Sequence, residues 1–363
     1  MRTKLTCVLT AGVVSWGAWS AADTGPATDI GAKTPATAPA TTRPILQPTT
    51  RPVPEIDRVL VISIDGLRPD LLTRADTPQI RSLMRSGSFS MWARTTAVSR
   101  TLPSHMSMMT GVPPQIHEIE WNRDLPMSKP VFPKGRTLFD ISKQYGYSTA
   151  IAAGKSKFDM FDRPGSLDWS WINPKKAATT KPSKSTEVED EKEEWPEDRL
   201  KVGKEVPDSV VAAQAARIIR EHKPQVMLVH LPNVDYTGHS IGWGTPEQIR
   251  AVERADSAVG QVLWALDEVQ VRTSTLVILT ADHGGAGNTH GPDDARSRHI
   301  PWIASGPGIR AECDLTRYAA LEINTEDTFA TACFFLGMRP SPSITGKAIK
   351  EIIRREELLR ASN

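Results

Sequence analysis

Four short runs of β-branched and other apolar residues recur along this chain: Val59–Ile64, Tyr147–Ala153, Val226–Leu231 and Thr275–Ala281. Between them lie stretches with a helical period, Thr77–Arg85, Pro207–Glu221 and Pro246–Val269. Apolar runs of this length read as strands buried on both faces, and strands that alternate with helices pair in parallel because a helix makes each crossover. The pattern predicts an α/β sandwich whose largely parallel sheet is covered on both sides. Such sheets bind ligands beyond the carboxyl ends of their strands, so the residue following each run is the one to inspect.

Three of those ends carry acid or histidine. Ile62-Ser-Ile-Asp65-Gly66 closes the first run, Leu231-Pro-Asn-Val-Asp235-Tyr-Thr-Gly-His239 follows the third, and Thr280-Ala-Asp282-His283-Gly-Gly follows the fourth. His290 lies seven residues beyond His283. Taken singly, an Asp after a strand is often only a helix cap, and a lone His is usually a surface or core residue. Together, three Asp and three His at one sheet edge form an N/O donor set suited to Zn, Mn or Fe rather than to a thiolate site.

The rest of the chain divides by composition. Residues 1–22 begin with Arg2 and Lys4, continue through the apolar run Leu5–Trp19 and close on Ser20, Ala21 and Ala22, the pattern of a cleaved secretory signal peptide. The run is interrupted by Gly12, Ser15 and Gly17 and falls short of the roughly 20 residues a membrane-spanning helix needs. An exported protein, periplasmic or secreted and without stable membrane insertion, is expected. Loss of Arg2 and Lys4 leaves 42 basic against 42 acidic residues, which gives no electrostatic reason to expect nucleic-acid binding. Pro, Thr and Ala supply 20 of the 33 residues from Asp23 to Glu55, a disordered linker by composition. The catalytic domain is expected over 56–360. It is interrupted at 174–206 by a surface insertion with eight basic and nine acidic residues. Cys7 leaves with the signal peptide; Cys313 and Cys333 could pair in an oxidising compartment, while the helical run around Cys333 suits a core-filling thiol equally well.

With Thr101-Leu-Pro103-Ser-His105, Thr110-Gly111, His117 and His290-Gly291 added, the motifs resemble the alkaline phosphatase superfamily, and within it the type I phosphodiesterase and nucleotide pyrophosphatase branch. The resemblance runs from Ile62 to about Ile309. It implies an alkaline phosphatase-like three-layer α/β/α sandwich with two divalent metal ions, zinc by this donor set. Asp235, His239 and His290 would hold one ion; Asp65, Asp282, His283 and the Thr101 hydroxyl would hold the other. Asn122, twenty-one residues after Thr101, would hydrogen-bond a phosphoryl oxygen. His299 competes for the place of His290, but it enters the strand-like run Ile300-Pro-Trp-Ile with no Gly after it, so His290 is preferred. The implied reaction is hydrolysis of a small-molecule phosphoester, a diester first of all, through a phosphorylated Thr101. A phosphomonoesterase on the same site and a non-catalytic metal-holding protein are the alternatives.

The chemistry also follows from the residues alone. A threonine hydroxyl is a poor nucleophile at neutral pH and no Ser-His-Asp arrangement offers it a base, whereas a divalent ion that lowers the pKa of bound water from about 16 to about 7 would acidify an alcohol in the same sense. Thr101 itself reads as the N-cap of a helix starting at Pro103. Some features depart from the family. Leu102 and His230 stand where nucleotide-cleaving relatives place aromatics, so no nucleotide specificity is expected. Thr101 cannot become the aldehyde a sulfatase needs. Arg68, Arg100 and Arg123 are candidates for an extra cation at the phosphate, and Phe158–Trp171 with the charged insertion for a partial lid.

Overall fold

The apolar run at Val59–Ile64 needs a strand on each edge and helices on both faces, and the fold supplies both. In the computed structural model, which describes residues 45–122, 131–173, 206–291 and 294–360, it forms β1 (Arg58–Ile64) near the middle of a sheet. The other strands are β2 (Gly87–Arg94), β3 (Thr149–Ala153), β4 (Trp169–Ile172), β5 (Val226–Leu231), β6 (Thr275–Thr280), β7 (His299–Ser305) and β8 (Cys313–Asp314). Their order is β4-β3-β5-β1-β6-β7-β2-β8. Only β7 runs against its neighbours; every other pairing is parallel. The three-layer, largely parallel architecture read from the sequence is the one observed.

Two groups of helices cover the sheet. Asp208–His222, Pro246–Glu268 and Pro78–Ser86 pack with one another, and Thr101–Thr110, Leu138–Gln144 and Asp327–Phe335 form the other group. The strands passed over in the sequence are those with weak local signals. β2 alternates polar and apolar residues and shifts register between Ser90 and Ala93, while β4 and β8 are too short to show a period.

Several expectations change. The helix bearing Thr101 begins at Thr101 and not at Pro103, with Arg100 at the N-cap, because proline is tolerated anywhere in a first turn whose N–H groups lack partners in any case. The linker expected over 23–55 ends early. Leu46 N–H donates to Gln144 O at 2.8 Å, Thr49 N–H donates to Gly337 O at 2.8 Å, and Val53 is fully buried, so residues 45–55 belong to the domain. Phe158 and Phe161 are core residues, fully buried, and no part of a lid. Cys313 and Cys333 are free buried thiols, not a bridge. The segment 1–22, the linker up to residue 44, Arg123 and residues 174–205 of the insertion lie outside the described residues. Among the described residues no helix is long and apolar enough to cross a membrane.

Candidate metal and phosphate site

β5, β1 and β6 are adjacent and parallel, so their carboxyl ends open on one edge. Asp65 directly follows β1, and Asp282 and His283 follow β6. Asp235 lies in the first turn of the helix Asn233–Ile241, with His239 one turn later on the same face. Gly66 permits this convergence. Its φ is +76°, and a Cβ there would sit 2.8 Å from the Asp235 Cα. Trp243 Nε1–H donates to Gly66 O at 3.0 Å and braces the turn.

Each of the three buried aspartates has one oxygen anchored and one presented. Asp282 Oδ1 accepts from the Gly66 N–H at 3.1 Å and the His283 N–H at 2.9 Å. Asp65 Oδ2 meets His230 Nε2 at 2.8 Å and Lys155 Nζ at 2.7 Å, and Asp235 Oδ2 accepts from Lys155 Nζ at 2.6 Å. Asp65 Oδ1, Asp235 Oδ1 and Asp282 Oδ2 are buried without a hydrogen-bond partner among the described residues.

The histidines are oriented to meet those oxygens. His239 Nδ1 lies 2.9 Å from Asn288 O, His283 Nδ1 2.8 Å from Gly284 O and His290 Nδ1 2.8 Å from Ser99 O. A carbonyl can only accept, so in the neutral ring the proton is on Nδ1 and Nε2 keeps its lone pair, the arrangement typical of metal-ligating histidines. The three Nε2 atoms surround Asp235 Oδ1 at 3.4 Å for His239 and 3.9 Å for both His283 and His290. His283 Nε2 is also 3.3 Å from Asp65 Oδ1 and 3.3 Å from Asp282 Oδ2. The residues thus fall into two ligand-sized groups, Asp235–His283–His290 and Asp65–Asp282–His283, with His283 common to both and His239 beside the first. His299 is elsewhere, stacked on Trp92.

Electrostatics fit a cation-binding centre. Burial keeps His283 and His290 below the usual imidazole range and therefore neutral. Burial opposes charge on His239 as well, but the Asp235 carboxylate outweighs it and raises that ring. Burial and Asp235 push Asp65 up, yet Lys155 with His230 and His283 holds its carboxyl below the ordinary range. Asp235 is likewise held down by Lys155 against burial. Burial and the Asp65 charge drive Asp282 well above it. One lysine thus pairs with two of the three carboxylates, and three oxygens remain without a donor among the described residues. Divalent cations fit this set: hard oxygens, neutral imidazole lone pairs and uncompensated negative charge.

Thr101 opens its helix with Oγ1 3.4 Å from His283 Nε2, at the rim of the second group. His105 fastens this turn to β1, with Nδ1 2.8 Å from Thr101 O and Nε2 2.8 Å from Ser63 Oγ. Asn122 stands alongside, its Oδ1 accepting the Leu102 N–H at 3.0 Å. Leu102 and His230 are fully buried, so neither offers a stacking surface. Arg68 has a structural role, forked onto Asp70 at 2.7 and 2.6 Å and donating to Gly285 O at 2.8 Å.

The sequence reading passes over Lys155 and Lys157. Both lie within four residues of the end of β3, so the strand-end rule reaches them once it is extended beyond acids and histidines. Lys155 joins the carboxylates, and Lys157 Nζ donates to Asn122 Oδ1 at 2.9 Å and Asn122 O at 3.1 Å.

Residues 59–315 match the profile of a family described as type I phosphodiesterase / nucleotide pyrophosphatase. An uncharacterised pyrophosphatase/phosphodiesterase of Schizosaccharomyces pombe is 25% identical over 242 residues, covering 63% of this chain and 44% of that protein. Human ectonucleotide pyrophosphatase/phosphodiesterase family member 1 is 25% identical over 237 residues, 63% of this chain and 24% of that protein. The chain therefore spans less than half the length of these curated relatives. The solved structure of an inactive variant of murine ectonucleotide pyrophosphatase/phosphodiesterase 5 in complex with AMP superposes with a TM-score of 0.61 at 14% identity, covering 82% of this chain and all of that one. The fold agrees, and the family profile spans strands β1 to β8 with every residue of the edge built above, so the chain belongs to the type I phosphodiesterase / nucleotide pyrophosphatase family.

Proposed function

We propose that this protein is an exported, metal-dependent phosphoester hydrolase that works through Thr101. The observation that carries the reading is the meeting, beside the Thr101 hydroxyl, of three unpartnered buried carboxylate oxygens with the Nε2 lone pairs of neutral histidines. Asp235, His239 and His290 would hold one divalent ion, and Asp65, Asp282 and His283 with the Thr101 oxygen the other, with zinc the ion best matched to the set. Such ions, when bound, lower the pKa of a hydroxyl and neutralise charge developing on phosphoryl oxygens.

The protein residues do the rest. His105 fixes the turn that presents Thr101, so Oγ1 is positioned before substrate arrives. Thr101 Oγ bonds to phosphorus as the ester oxygen leaves with its electron pair and takes up a proton. Water then breaks the Oγ–phosphorus bond, releasing the phosphorylated product and restoring the hydroxyl. Asn122, aligned by the Leu102 N–H on its carbonyl oxygen, turns its NH₂ toward a non-bridging oxygen. Burial of Leu102 and His230 gives no support for a nucleobase slot, and we assign the substrate only as a small-molecule phosphoester, a diester by family. The names of the relatives, which include ecto-enzymes and venom phosphodiesterases, support export.

Thr101→Ala in the zinc-loaded protein is the test. Hydrolysis of bis(4-nitrophenyl) phosphate and 4-nitrophenyl phosphate should fall by roughly 10³-fold or more. Undiminished turnover of both would end this reading.

A further inference from the structure

Toward one end of the sheet, beyond β6 and β7, strand β2 is only partly covered. β8 pairs with it at Ser88 and Phe89 alone, and further along β2 the Met91 N–H donates to the Thr316 hydroxyl at 2.9 Å instead of to a strand. A cleft of about 600 Å³ opens here between β2, β8 and the helices Pro69–Arg74 and Pro78–Ser86. Leu72, Met84, Phe89 and Met91 supply its apolar lining, and the last three are half-buried, packed against the core on one side. The volume is that of a small-molecule site, and unbranched, flexible methionines beside a ring adapt to an aliphatic chain.

The polar lining is positive. Arg81, Arg85, Arg310 and Arg317 share the cleft with two acids, Glu312 and Asp314. Arg317 is paired with Asp314 at 3.1 Å, whereas among the described residues the other three arginines have no carboxylate within ion-pair reach. Arg81 donates to Thr73 O at 3.2 Å and Ala75 O at 3.1 Å. Arg310 donates to Glu351 O at 3.1 Å and lies over the Tyr318 ring. Carbonyls and a ring orient a guanidinium without cancelling its charge. Arg85 has no side-chain partner at all among the described residues.

We propose that this cleft is a second binding site, for a medium-chain carboxylate whose chain lies along Leu72, Met84, Phe89 and Met91 and whose head meets the Arg85 and Arg310 guanidinium groups. The two halves of the lining call for one molecule with two halves. An apolar ligand alone would leave the arginines without a counter-ion, and a small anion alone would leave the apolar floor in water. The planar fork of arginine matches a carboxylate bidentately, which favours that head group. None of these residues belongs to the Asp and His cluster, so the inference stands apart from the reading of Thr101.

The experiment uses the full chain with decanoate kept below micelle formation, and with decanol and acetate as the two halves of the ligand. Calorimetry should give saturable decanoate binding with a Kd on the order of 10⁻⁴ M. Decanol should bind about tenfold or more weakly, and acetate should give no measurable heat. The double variant Arg85→Gln/Arg310→Gln should weaken decanoate about tenfold or more, through loss of the charge-assisted hydrogen bonds. Location is read in the wild-type chain, so it does not depend on any variant folding: with ¹³C-methyl methionine, decanoate should move the Met84 and Met91 signals first among the ten methionines. Equal affinity for decanol and decanoate, an undiminished affinity in the double variant, or Met84 and Met91 signals that stay still while decanoate binds would each overturn the proposal. So would the absence of saturable binding, the result expected if an acidic peptide or a second copy of the chain covers the cleft instead.

Discussion

Two sets of buried aspartates in this molecule look alike in sequence and differ in what surrounds them. Asp256 accepts from the Ile80 N–H at 2.8 Å and the Gln79 N–H at 3.2 Å, capping a helix start from across the interface. Asp327 accepts from the Lys347 N–H at 2.6 Å and the Asn324 N–H at 2.7 Å. Both oxygens of each are engaged by backbone donors. At the sheet edge, Asp65, Asp235 and Asp282 are each left with one buried oxygen that nothing donates to, and all three of those oxygens lie near His283 Nε2. A buried carboxylate with its donors built in holds the fold together. A cluster of carboxylates whose donors are missing is a place for a cation.

Asp208 stands between the two sets. Its Oδ1 accepts the Asn233 N–H at 3.0 Å while its Oδ2 has no partner, and no histidine faces that oxygen among its described contacts. Burial outweighs the Asn233 N–H and the Arg254 charge and raises its pKa to about 7. One orphaned oxygen with no imidazole nitrogen facing it only takes up a proton, whereas three gathered around imidazole lone pairs form a candidate cation site.

The contrast can be broken experimentally. The largest effect is expected from Asp282→Asn. The amide reproduces the shape of the carboxyl that burial keeps protonated, so the metal-free melting temperature should barely move, while zinc affinity drops at least about 100-fold. Zinc at a hundred times the wild-type Kd should stabilise the wild type by about 2.7 kcal/mol and the variant by far less, as read by thermal unfolding with and without metal. A variant that keeps wild-type zinc affinity would show that these oxygens are not ligands.

Next, Asp256→Ala or Asp327→Ala should destabilise the fold by about 1–3 kcal/mol through stranded backbone donors, with zinc affinity unchanged. Chemical denaturation alongside zinc titration separates the two quantities, and a loss of zinc binding in either variant would erase the distinction drawn here.

The smallest effect concerns Asp208. Its folded pKa of about 7 lies above the ordinary carboxyl value of 3.8, so between those values the folded state holds the proton that the unfolded chain has lost. Its contribution to stability is thus full below about pH 4 and lost as the pH rises to 7. Asp208→Asn should remove that slope and stabilise the protein by about 1–2 kcal/mol at pH 8 relative to the wild type, with little difference at pH 4. An identical pH–stability profile for both proteins would place the proton elsewhere.

Much of this arrangement is legible from the chain alone. Unbroken apolar runs leave a parallel, doubly covered sheet as the stable solution, and the Asp and His that follow β1, β5 and β6 must then share an edge because adjacent parallel strands end together. Even His290 rather than His299 at the edge follows from local context, since His299 begins β7 and leads away from it. Those inferences use signals contained within a few residues of one another. Tertiary structure alone decided which oxygens are satisfied and which are bare. Whether Asp256 is a cap and Asp65 a candidate ligand depends on groups that arrive from segments 90 or more positions away, Ile80 for the one and Lys155, His230 and His283 around the other. The direction in which Lys155 and Lys157 point is of the same kind, because the two side chains are chemically identical and only the packing of β3 and its following turn aims one at the carboxylates and the other at Asn122.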